Sequence, residues 1–116
     1  MHLTVKDADG ATVVRIDGNV DGLTADQLLQ TMTEQIQAGH AKLVADCAEL
    51  GYASSAGLRA LLGSVKLARQ HDGDLRLAAL QKAVLKVLEV SGFTSILRQF
   101  PDVASAVASY SEESAD

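Results

Sequence analysis

The stretch Tyr52-Ala53-Ser54-Ser55-Ala56-Gly57-Leu58-Arg59 places two adjacent hydroxyls where a strand gives way to a helix. From Leu58 onward, Leu58, Leu61, Leu62 and Val65 recur at intervals of three and four, the spacing of one helix face. A serine at a helix start has a structural use: its oxygen accepts from a first-turn amide that has no acceptor inside the helix. It also has a chemical use, because its hydroxyl can be offered to another protein as a phosphate acceptor. The octapeptide by itself leaves both uses open.

Upstream of this junction, Leu3 and Val5 alternate with Thr4 and Lys6, as in a half-buried strand. Asp9-Gly10 supplies a turn, and Ala11 to Asp17 reads as a second strand with Val14 and Ile16 inward, giving an opening hairpin. Thr24, with Gln27 three residues on, predicts a capping box. The helix it starts carries Ala25, Leu28, Leu29, Met32 and Ile36 on one face, with Gly39 just past its end. Leu43 to Ala45 is a short apolar run, as expected of a covered strand, and Glu49-Leu50-Gly51-Tyr52 leads on into the serine loop.

Downstream, the serine helix is expected to reach about His71, before a turn at Asp72-Gly73-Asp74. Leu75, Leu77 and Ala79 alternate with Arg76 and Ala78, which predicts another strand. Lys82 to Val90 reads as a helix with Val84, Val87 and Leu88 inward and Gly92 at its stop. Pro101 suits the first turn of a last helix that buries Val103, Val107 and Tyr110. Ser111 to Asp116 is polar and acidic and is expected to fray. The order is hairpin, helix, strand, helix, strand, helix, helix. It predicts an α/β domain over residues 1–110, followed by a short acidic tail at 111–116, with the later strands parallel through crossovers and the hairpin making the sheet mixed.

The 116 residues suffice for one hydrophobic core, and with 47% apolar but only 3% aromatic residues that core must be aliphatic. A formal charge of −5 argues against nucleic acid or an anionic membrane as a partner and suits a basic docking surface. No basic segment followed by an apolar run opens the chain, and no stretch approaches the ~18 apolar residues of a membrane span. Cys47 is the single cysteine, so no internal disulfide forms; with the missing leader this predicts a cytoplasmic protein.

Catalytic chemistry finds little support. Gly-x-Ser-x-Gly is absent, since Ala53 stands two residues before Ser55 although Gly57 follows two after. His2, His40 and His71 sit near a terminus or at element ends and read as solvent-facing, and no two His or Cys residues have ligand spacing. His71 with Asp72 and Asp74 reads as a polar turn, and Cys47 as a small packed side chain. Without a glycine-rich phosphate loop the domain is not expected to be a kinase itself. The expectation is a binding protein with no enzymatic activity, no cofactor and no metal.

Four segments in register carry a resemblance. The serine run is similar to the serine motif of STAS domains, in particular the anti-sigma-factor antagonists of bacterial partner-switching systems. Gly18-Asn19-Val20-Asp21 with Thr24-Ala25 resembles that family's Gly-x-Leu-Asp…Thr-Ala segment. Leu43-Val44-Ala45-Asp46 with Leu50 resembles the strand before its serine loop, and Ser91-Gly92-Phe93 resembles the close of its third helix. The resemblance spans roughly Leu3 to Tyr110 and implies a small mixed sheet with helices mainly on one side. It also implies that Ser55 is phosphorylated by an anti-sigma factor with a histidine-kinase-like ATPase fold, a serine kinase, and restored by a PP2C-type phosphatase. Ser54 stands where the family often has Asp, which removes a carboxylate beside the acceptor and makes Ser54 the second-choice acceptor. Partner contact is implied for Asp21, Gly22, Ser54, Ser55, Ala56, Gly57 and Arg59, with Asp21 pairing with an arginine of the kinase. Against this stands a plain role for Asp21 as a loop residue bonded to nearby backbone, and for Gly22 and Gly57 a choice between close backbone approach and turn geometry. Arg59 is expected to be exposed, Leu58 to face the core, and the protein to be monomeric. The family also includes free-standing subunits of lipid-transport systems and adaptors of partner switches that do not act on transcription; these remain the alternative.

Overall fold

Asp9 and Gly10 both lie at positive φ, 49° and 86°, and close the tight turn of the hairpin. Around it β1 (His2–Ala8) runs antiparallel to β2 (Ala11–Val20), from Ala8 opposite Ala11 to His2 opposite Asp17. The computed structural model describes residues 1–114, with side chains for residues 1–111. The remaining elements are α1 (Ala25–Gln37), β3 (Lys42–Asp46), β4 (Leu50–Ala53), α2 (Ser55–Gln70), β5 (Asp74–Ala78), α3 (Lys82–Val90), a short 3-10 helix (Phe93–Ser95), β6 (Gln99–Phe100) and α4 (Val103–Ser114). The strand order is β1-β2-β3-β5-β6, and every pairing after the hairpin is parallel. At ten residues β2 takes two parallel partners in succession, β3 beside Thr12–Arg15 and β4 beside Gly18–Val20.

Side-chain alternation along the strands sorts the apolar residues into two layers. Val14, Ile16, Leu43, Ala45, Leu75 and Leu77 point to the face covered by α1, α2 and α3, where they meet Leu28, Met32, Ile36, Leu61, Val65, Val84 and Leu88. Val13, Val44 and Ala78 point to the other face, where α4 lays Ala106, Val107 and Tyr110 over them. The fold is therefore the expected mixed α/β sheet with three of its four helices on one side.

Several local expectations need correction. Leu3 is half-buried against the main core, as a half-buried strand requires, but Val5 is exposed, at the edge of the sheet where β1 lies. No capping box forms at Thr24: its φ and ψ of −113° and −11° are already near-helical, and its hydroxyl turns back to the preceding loop. Leu50 to Ala53 is a strand where a loop is expected, and Asp74 belongs to β5 rather than to the turn before it. Pro101 precedes α4 by two residues, and the start is capped by Asp102, whose carboxylate accepts from the Ser105 amide at 2.7 Å. Ala79 is past the end of β5, in left-handed backbone at φ 59°, and points to neither layer. Helix α4 continues to Ser114, four residues beyond the expected domain end; the last two residues of the acidic tail lie outside the described residues.

Arg76 follows the strand alternation yet is buried, since α4 covers the face it points to. Its Nε meets Asp74 Oδ2 at 3.1 Å, a terminal nitrogen donates to Ser109 Oγ at 2.6 Å, and the guanidinium lies 3.9 Å from the centre of the Tyr110 ring. A buried cation is tolerable when paired and hydrogen-bonded in this way.

Candidate functional site

Parallel pairing of β2 with β4 sets Val20 opposite Ala53, and the Ser54 amide donates to the Val20 carbonyl at 2.8 Å. Two segments thirty residues apart in sequence, the loop after β2 and the start of α2, thereby share one corner at the carboxyl ends of the strands. Gly57 makes the approach possible. A Cβ built there would lie 2.8 Å from the Val20 carbonyl oxygen and 2.9 Å from its Cγ1, closer than side-chain carbons pack. The need at Gly57 is thus close approach, not turn geometry. Gly22 is exposed with open space around it, so neither demand applies there.

The two serines at the helix start are placed differently. Ser54 is the N-cap of α2: its backbone is extended, at φ −78° and ψ 176°, and its Oγ accepts from the Gly57 amide at 3.2 Å. Ser55, the first helical residue, is exposed, and its hydroxyl makes no hydrogen bond among the described residues. Helical bonding begins with the Leu58 amide on the Ser54 carbonyl at 2.9 Å. The amides of Ser55 and Ala56 are left at the positive end of the helix dipole without an acceptor inside the helix.

Facing this start is the loop from Asp21 to Thr24. Asp21 Oδ1 accepts from the Leu23 amide at 2.9 Å and from the Thr24 amide and hydroxyl, each at 3.2 Å, while the Thr24 oxygen accepts from the Asp21 amide at 2.9 Å. The Leu23 amide is the chief reason that the Asp21 carboxyl is held below the usual aspartate range; burial opposes it, and the Thr24 contacts add to it. The plain role for Asp21 is therefore realised. Leu23, which the sequence did not single out, projects into solvent with 93% of its surface exposed. One signal in the chain pointed to it: Leu23 lies before Thr24, outside the three-four spacing of the apolar face of α1. Between α1 and α2 runs an open groove of about 210 Å³, lined by Gly22, Ala25, Ala56 and Ala60 together with Asp26 and Arg59. Arg59 is exposed one turn below Ser55, and Leu58 is buried, both as expected.

The corner thus unites all seven residues expected at the site. The other reactive groups lie elsewhere or are closed off. Burial pushes the Cys47 thiol up to about 12, with the neighbouring Asp46 charge acting in the same sense. His2, His40 and His71 are exposed, and no cluster of three metal-ligating side chains occurs among the described residues. No helix among the described residues is long and apolar enough to cross a membrane.

With this geometry in view, comparison with known proteins is direct. The STAS domain family model matches residues 2–106. A relative from Bordetella bronchiseptica, named as the anti-sigma factor antagonist BtrV, is 40% identical over 96 residues, which cover 83% of each chain. Among solved structures, an anti-sigma factor antagonist fold from Thermotoga maritima superposes with a TM-score of 0.87 at 14% identity, covering 92% of each chain. The Bacillus cell fate determinant SpoIIAA in its phosphorylated form superposes with a TM-score of 0.69 at 17% identity, covering 90% of this chain and 96% of that one. The protein described here belongs to the STAS-domain family of anti-sigma factor antagonists.

Proposed function

We propose that this protein is the phosphorylatable arm of a partner switch: unmodified, it binds an anti-sigma factor that is also a serine kinase, and phosphorylation of Ser55 releases it. The observation that carries this reading is the unequal use of the two serines. Ser54 is committed to capping α2, whereas Ser55 is exposed with no hydrogen bond among the described residues. A kinase needs an acceptor oxygen it can reach and turn toward ATP, and Ser55 meets that need without dismantling the helix start.

The same geometry says what the modification does. A phosphate adds about −1.5 to −2 charges at pH 7 and three acceptor oxygens. At the first helical residue it meets the amides of Ser55 and Ala56, which have no acceptor inside the helix, and the positive end of the helix dipole, so the fold tolerates it. The effect falls on docking. Bulk and charge arrive in the middle of the corner formed by Asp21, Gly22, Ala56 and Arg59, on a chain whose formal charge is already −5. A partner shaped to the bare hydroxyl is displaced, and a PP2C-type phosphatase in the same cytoplasm resets the switch.

The test is intact-protein mass spectrometry with peptide mapping after incubation with ATP and the cognate histidine-kinase-like protein. Wild type should gain one phosphate on Ser55, Ser55→Ala none, and Ser54→Ala one. No phosphate on wild type with a demonstrably active kinase would remove the switch and favour the transport-subunit alternative.

A further inference from the structure

Isolated apolar residues on a surface are ordinary; what sets Leu23 apart is that it is held in place while 93% exposed. Its own amide and that of the next residue are both bonded to Asp21 Oδ1, at 2.9 and 3.2 Å. The Thr24 hydroxyl ties back to the Asp21 amide at 2.9 Å, and the Asp21 carbonyl accepts from the Ala25 amide at 2.9 Å as α1 begins. The backbone on both sides of Leu23 is therefore fixed by bonds internal to the loop. A side chain presented from a fixed backbone loses less freedom on docking than one on a mobile loop. Next to Leu23, the open space around Gly22 continues into the groove whose apolar lining is Gly22, Ala25, Leu29, Ala56 and Ala60, with Asp26 and Arg59 as its charged members, so a partner seated on Leu23 meets a partly apolar surface beside it. The same bonds bear on Asp21. Its Oδ1 is occupied by three donors of its own loop, which is the work of a loop organiser.

We propose that Leu23 is the apolar anchor of the docking surface, inserting into a hydrophobic pocket of the kinase. In this arrangement Asp21 is a positioning residue that holds Leu23 out through its Oδ1. The inference deepens the proposed function and rests on it. It places the strongest contact on the loop after β2, beside the phosphorylated serine, so that a phosphate at Ser55 acts by obstructing the seating of Leu23.

Isothermal titration calorimetry of the full, unphosphorylated chain against the cognate histidine-kinase-like ATPase tests this, with thermal melts as the control for folding. Leu23→Ala should weaken binding at least about 30-fold, as loss of an anchor does, and leave the melting temperature of this exposed position unchanged. Asp21→Asn keeps a carbonyl oxygen able to accept from the Leu23 and Thr24 amides and removes the charge. It should bind within about threefold of wild type, while Asp21→Ala follows Leu23→Ala. If wild type binds and Leu23→Ala binds equally well, the anchor is refuted. If Asp21→Asn is as weak as Asp21→Ala, the charge itself makes the contact and the positioning role is refuted. A wild type that does not bind the ATPase at all would instead overturn the proposed function.

Discussion

Gly57→Ala is a substitution whose sign distinguishes tertiary packing from helix propensity. Within a helix, alanine is favoured over glycine by about 1 kcal/mol, so propensity by itself predicts a more stable protein. The packing predicts the reverse. The new Cβ would stand 2.8 Å from the Val20 carbonyl oxygen and 2.9 Å from Val20 Cγ1, and neither atom belongs to a flexible chain end that can swing aside. Overpacking of this kind costs about 1–3 kcal/mol, and against a backbone carbonyl the upper part of that range, about 2–3 kcal/mol, applies, leaving a net loss of about 1–2 kcal/mol. A domain of 116 residues has an unfolding entropy near ~0.24 kcal/mol/K, so the melting temperature should fall by about 4–8 °C. Gly63→Ala in the same helix is the matched control, because its Cβ would meet only Leu29 Cδ1 at an ordinary 3.5 Å. That variant should gain about 0.5–1 kcal/mol, or about 2–4 °C. Differential scanning calorimetry measures both, and amide chemical shifts of Val20 and Ser55 report whether α2 has been levered off β2. A Gly57→Ala protein that melts at or above wild type would refute the close approach, and with it the account of how the serine corner is assembled.

Three further outcomes follow from the same geometry. Ser54→Ala removes the α2 cap and should cost about 1 kcal/mol, seen as a drop of about 4 °C on melting, whereas Ser55→Ala should stay within about 2 °C of wild type. Cys47, fully buried with its thiol pushed up to about 12, should resist Ellman's reagent in the folded protein at pH 8 and react at once in denaturant; rapid native labelling would contradict its burial. Asp21 is held below its ordinary value of 3.8 in the folded state, so its stabilisation is complete above that pH and is lost as the pH falls through the lower folded value. Urea denaturation below pH 4 should therefore show a shallower loss of stability for Asp21→Asn than for wild type.

Much of the fold is visible in local patterns because each pattern has one local cause. The alternation in β2 and β5 and the three-four spacing in α1 and α2 placed Val14, Ile16, Leu75, Leu77, Leu28 and Leu61 in the core as expected. The turns at Asp9-Gly10, Gly39 and Gly92 are legible because positive φ favours such residues, and all four lie at positive φ. Strand β4 was missed because four residues with Gly51 and an exposed Tyr52 at their centre show no run or alternation; only the open flank of β2 makes them a strand. Arg76 shows the same limit. Its alternation marks it as facing away from the main core, but whether that face meets water or α4 is a fact of the whole chain.

At the site, the sequence by itself determined the cast: two serines at a helix start, a glycine two residues on, an aspartate just after the second strand, and a family pattern that ties them together. Those are statements about residue type and spacing, which backbone geometry translates directly. The tertiary structure alone decided the roles. It made Ser54 the cap and left the Ser55 hydroxyl exposed, because the extended Ser54 backbone brings its oxygen to the Gly57 amide. It turned Asp21 inward to its own loop and Leu23 outward to solvent, and it made Gly57 indispensable by bringing Val20 against it. Such assignments depend on which groups are already satisfied and which atoms are already touching, and neither exists until strands β2 and β4 lie side by side.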